Sequence, residues 1–147
     1  MLLEMLNEIV HELTEETQQI NTAISQARIV VENAQNNWQS AKDEEAPAIY
    51  EDEKVKQKYK VLMDYCNGLS QKPQALLDKM TRLSNEQVET SRKRENAHGP
   101  VQLRQQDVRV AESRLGMLQE KDKKVQQQLR EVSKHIQAVQ RVSSASS

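Results

Sequence analysis

Phenylalanine is absent from this chain, and aromatic residues of every kind make up only 3% of it. A 147-residue domain with one globular core ordinarily needs such side chains to fill its volume. With hydrophobic residues at 36% and charged residues at 29%, there is apolar material for narrow stripes on shared helices and little beyond. Glycine and proline are equally scarce, three of each, so the chain has few places to turn. The single cysteine, Cys66, excludes an internal disulfide, and no Asn-x-Ser/Thr sequon occurs. Together these point to a reducing, intracellular setting, cytoplasm or nucleus. Apolar runs reach only about three residues, as at Ile29-Val30-Val31, too short for a membrane span or a secretory signal. Neither sign of charge dominates. The net of −1 gives no bulk attraction to nucleic acid or to a membrane surface.

What is present is a heptad pattern. From Leu3 to Ala41 one row reads Leu3, Val10, Thr17, Ile24, Val31 and Trp38, and its companion reads Leu6, Leu13, Ile20, Ala27, Ala34 and Ala41. Apolar a and d positions sustained in this way predict a coiled-coil helix over about residues 2–43. Ile9, Ala23 and Val30 fall on the neighbouring g position and widen the stripe on one flank, as expected of a helix with more than one neighbour. The small residues Ala27, Ala34 and Ala41 let a partner backbone approach, with Trp38 filling the space beside them.

Pro47 predicts a stop and a new start. A second helix over about 48–96 carries Val55, Tyr59, Leu62, Cys66, Leu69, Leu76, Met80 and Leu83, with a break or strong kink at 67–73, where Gly68 and Pro73 act together. Beyond Leu83 its stripe decays through Gln87, Thr90 and Arg94, which predicts a frayed or partner-dependent end. Asn96-Ala97-His98-Gly99-Pro100 reads as the clearest turn, with a third helix over about 101–142 that Arg104 and Asp122 interrupt. Residues 143–147 read as a disordered tail. The expected fold is therefore all-α: an elongated coiled coil, folded up-down-up as an antiparallel bundle of three long helices in a single domain over 1–142.

Charge distribution favours that folded-back arrangement over a parallel dimer. Residues 1–46 carry nine acids and two bases, whereas 98–147 carry nine bases and five acids. The first helix is repelled by a parallel copy of itself and attracted to the third. The expected pairing seam comprises Leu6, Val10, Leu13, Ile20, Ile24, Val31 and Trp38 from the first helix. The third contributes Leu115, Leu118, Val125, Leu129, Val132 and Ile136.

Chemistry is hard to find. His11-Glu12-Leu13-Thr14-Glu15 begins like a zinc-protease helix but has Glu15 where the second histidine belongs. Glu8 and His11 have the Glu-x-x-His spacing of di-iron bundles, without a second copy, and both fall on solvent positions of the heptad. Cys66 sits on the seam with no base to activate it. His98 reads as loop, and His135 as a flank residue of the third helix. No cofactor, metal or catalytic residue is expected. The basic clusters Lys54, Lys56, Lys58 and Lys60, then Arg92, Lys93 and Arg94, then Lys121, Lys123 and Lys124 are candidate contacts for an acidic partner. Nucleic acid is disfavoured because no recognised nucleic-acid-binding module accompanies them. The expected function is a non-enzymatic scaffold that assembles with itself or other helical proteins, in a cytoskeletal or kinetochore-like setting. The alternative is a binding module for an acidic filament such as a microtubule, or for nucleic acid, through these Lys/Arg clusters.

Overall fold

A computed structural model describes residues 1–146. It contains two α-helices, α1 over Leu2–Asn67 and α2 over Gln74–Ser146, and among the described residues no strand. The all-α expectation stands, but two helices replace the expected three. The turn expected at residues 43–47 lies inside α1, and the turn expected at 96–100, with His98, lies inside α2. Among the described residues the only interruption between helices falls at Gly68–Pro73, where a break was expected. Ser143, Ser144 and Ala145, expected to be disordered, continue α2, because neither Gly nor Pro follows Gly116 to stop it. The last residue of that expected tail, Ser147, lies outside the described residues.

Both internal prolines are accommodated for the same reason. Pro47 and Pro100 are exposed, so the carbonyls of Asp43 and Asn96, each deprived of an N–H donor four residues on, sit on helix faces that water reaches. A proline costs an isolated helix interior about 3 kcal/mol. Opposing that cost, the heptad rows run on in phase: Glu45, Ala48, Asp52 and Val55 extend the rows of Leu3–Ala41, and none of them is exposed. Val55, Val101 and Val108 are buried beside the prolines, and each contributes roughly 1.5–3 kcal/mol. Replacing Pro47 with Ala is expected to raise the unfolding free energy by about 2–3 kcal/mol, checked by circular-dichroism melting.

At the break, α1 ends in a tightened turn in which Gly68 N–H donates to the Tyr65 carbonyl (3.2 Å) and Leu69 N–H to the Cys66 carbonyl (3.1 Å). Gly68 has no positive φ, so it ends the helix without a left-handed cap. Pro73 then opens α2: its carbonyl accepts from Leu76 N–H (3.1 Å) and Leu77 N–H (3.3 Å).

The chain divides into two compact units. One comprises Met1–Asn33 with Arg109–Ser147, and the other comprises Ala34–Val108. In the first, Ile20, Ile24 and Val125 form a buried cluster against which Leu13, Leu115 and Leu118 pack. In the second, Ala34, Ala41, Val55, Cys66, Leu83, Val101 and Val108 are buried. There the helices run antiparallel: Glu45 meets His98, and Asp52, one heptad further on, meets Thr90, Ser91 and Arg94. No helix among the described residues is long and apolar enough to cross a membrane.

Candidate functional site

The densest polar chemistry lies in the second unit, on a seam that is otherwise apolar. Asp52 occupies an a position of α1, two heptads before Cys66, and its exposure is 0%. A buried carboxylate is tolerated only when its lone pairs are satisfied. Here Oδ1 accepts from Thr90 Oγ1 at 3.0 Å and Ser91 Oγ at 2.9 Å. Oδ2 pairs with Lys56 Nζ at 2.8 Å and a guanidinium nitrogen of Arg94 at 3.1 Å. Lys56 comes from the next turn of α1, and the other three come from consecutive turns of α2. The Lys56 ammonium, with the Ser91 hydroxyl, Arg94 and Thr90, holds the Asp52 carboxyl well below the usual carboxylate range and outweighs the opposing effect of burial.

A second polar contact lies one heptad earlier, where Glu45 Oε2 is 2.5 Å from Nδ1 of His98. Pro47 and Pro100 follow these two residues by two positions each. The sites therefore alternate along the pair: a carboxylate–imidazole contact, a proline on each helix, then the Asp52 layer.

This arrangement reassigns much of what the sequence offers as a partner surface. Lys56 and Arg94 are engaged by Asp52, and Arg94 also lies 3.9 Å from Glu53. Arg92 donates to Glu89 at 2.6 and 3.3 Å, an exposed pair in which the guanidinium lowers the Glu89 carboxyl. Lys123 pairs with Glu120 at 3.3 Å. Lys54 stands 6.0 Å from the centre of the Tyr50 ring. Lys58, Lys60, Lys93, Lys121 and Lys124 are exposed. Thr90 and Arg94 are not the frayed end of a decaying stripe: they are the polar complement of Asp52. The sequence signal for this was phase. Counting in sevens from Leu3 through Pro47 places Asp52 on the buried row, opposite a stripe that turns polar.

The expected seam residues divide by burial. Ile20, Ile24 and Val125 are buried, whereas Leu6, Val10, Leu13, Val31, Trp38, Leu115, Leu118, Leu129, Val132 and Ile136 are half-buried. Trp38 carries Lys42 over its ring at 3.8 Å, and its indole N–H is buried without a hydrogen-bond partner. Asp122 has Oδ1 buried and likewise unpartnered, on the same row as Leu115 and Leu129. Such a group forfeits its hydration without recompense. Asp122→Leu is therefore expected to stabilise the first unit by about 1–3 kcal/mol, read from urea unfolding followed by circular dichroism.

The remaining candidates have simple settings. His11 Nε2 lies 3.1 Å from Glu15 Oε1, and both are well exposed. Cys66 is a buried free thiol. Among the described residues no group of three or more His, Cys, Asp or Glu is placed to hold a metal ion. Compared with protein-family models, curated proteins and solved structures, the chain matches none.

Proposed function

We propose that this chain is a non-enzymatic helical assembly protein whose working surface is its helix-pairing chemistry, used both within the chain and between copies. The observation that carries the reading is an incompletely covered stripe on α1 of the first unit. The a and d rows there turn toward α2, yet Ile9 and Val30, on the adjoining g position, remain 40% and 55% exposed. Apolar residues repeating beside a filled seam are the mark of a helix that has a further helical neighbour to take. Area of this kind contributes about 25 cal/mol per Å² removed from water.

The reading of a basic surface for an acidic filament is the weaker one. Lys56, Arg92, Arg94 and Lys123 already face carboxylates of their own chain. Sedimentation across micromolar concentrations tests the assembly reading. A weight-average mass that rises with concentration supports it, and a monomer throughout overturns it.

A further inference from the structure

The second unit carries a groove of about 680 Å³ along the last third of α1. Val61, Leu62, Tyr65 and Leu83 give it an apolar floor, and Lys54, Lys58 and Lys79 stand around it without an acidic residue among its lining. Val61 and Tyr65 are 63% and 61% exposed, so two large side chains of this floor meet water. Neither Lys58 nor Lys79 is held in an ion pair. A groove of this chemistry fits an amphipathic helix with one apolar and one acidic stretch.

The chain itself contains such a helix. Residues 1–16 hold five glutamates and no Lys or Arg. Leu2, Met5 and Ile9 form an exposed apolar stripe at i, i+3 and i+7, and Glu12 and Glu16 continue that stripe through the next two turns. The groove reads in the opposite order along α1: Lys54 and Lys58 come first, then Val61 and Tyr65. We propose that the Leu2–Glu16 segment of a second copy docks in this groove, antiparallel to Lys54–Tyr65. That direction lays Leu2, Met5 and Ile9 over Val61 and Tyr65, and sets Glu12 and Glu16 beside Lys58 and Lys54. The parallel direction opposes lysine to leucine. At 1.5 Å per residue the segment is about 21 Å long and the groove about 16 Å, so the lengths agree. Segment and groove belong to one helix, which cannot fold onto itself, so the occupant is another molecule.

The proposal rests on the self-association reading above and gives it a geometry. Because the two docking surfaces differ, any open row of copies keeps one segment and one groove unfilled at its ends, and the contact is head-to-tail and open-ended. Sedimentation velocity of the full chain tests it with two double variants, Lys54→Glu with Lys58→Glu and Glu12→Lys with Glu16→Lys, circular dichroism verifying that helicity is kept. Each variant alone is expected to associate roughly tenfold more weakly or less. Mixed, they are expected to recover open-ended association, since the acidic segment of one variant meets the basic groove of the other and the reversed segment meets the reversed groove. All four substitutions in one chain are expected to restore association. If wild type assembles and both variants assemble equally well, the docking is wrong while self-association stands. If both variants fail and their mixture does not recover association, head-to-tail docking is wrong. A monomeric wild type overturns both readings.

Discussion

Asp52→Ala is expected to be the most damaging single substitution in the Ala34–Val108 unit. It leaves Lys56, Thr90, Ser91 and Arg94 around an emptied, buried position, with two cations facing each other and no anion between them. The loss combines the unfilled volume with a half-buried Ser91 hydroxyl left without its acceptor and the two cations' loss of their common anion. A fall on the order of ten degrees in the thermal midpoint follows. Asp52→Leu separates stability from specificity. It refills the position with apolar volume, and Lys56 and Arg94, exposed enough to turn outward, recover their hydration. Its midpoint is expected to return most of the way to wild type, while the pairing of α1 with α2 loses the buried polar layer that fixes which turns meet. Spin labels at the exposed positions 60 and 82 read this directly: one distance in wild type, several in the Leu variant. A single unchanged distance excludes Asp52 as the register-setting residue.

The same carboxylate makes stability depend on acidity. Its folded-state pKa lies below the ordinary value of 3.8, so folding releases its proton and the stabilisation is complete above that value. As pH falls from about 5 the unfolded chain takes up the proton first, and the contribution is lost progressively until the folded form also protonates. The difference in melting midpoint between wild type and Asp52→Asn is therefore expected to be constant from pH 7 to about 5 and to narrow below it. A difference independent of pH contradicts the ion-pair account.

Ile20→Asp is expected to have a comparable effect in the other unit. Ile20 is buried with Ile24 and Val125 in the cluster that Leu13, Leu115 and Leu118 complete. A carboxylate there has Glu16 one turn before it and Ile24 one turn after, and thus no neighbouring cation on its own helix. The expected loss is about 3–5 kcal/mol, against about 2–4 for Ile20→Ala, which only removes volume. Hydrogen exchange locates the damage: amides of 1–33 and 109–146 lose protection first. Equal losses for the Asp and Ala variants show that the position is open to water.

The heptad rows made the helical class legible, and the same rows, followed further, contained the helix count. Leu3 to Trp38 continues in sevens to Glu45, Asp52, Tyr59 and Cys66; Leu76 to Ala97 continues to Ala111 and Val139. Reading Pro47 and Pro100 as stops put a local cost of about 3 kcal/mol ahead of a phase that neither proline disturbs. Gly99 and Pro100 are adjacent and the helix runs through them, whereas the segment between Gly68 and Pro73 ends one helix and opens another. The Asp52 layer was hidden by that error, since a carboxylate counted from a new helix start has no assigned face. Its α2 partners were visible only as a failing stripe. The unfilled Oδ1 of Asp122 and the exposure of Val61 and Tyr65 depend on where the facing helix leaves room, which one strand of sequence does not specify.

The placing of Pro47 and Pro100 has a mechanical consequence. Each removes one backbone hydrogen bond, at the carbonyls of Asp43 and Asn96, and the Glu45–His98 contact sets those two losses at the same level of the second unit. Flexural stiffness is lowest where both members of a pair are weakened together. Load across this unit therefore concentrates its curvature at that level, and the Asp52 layer, one to two turns away, works as the rivet that keeps the bend from becoming a slip.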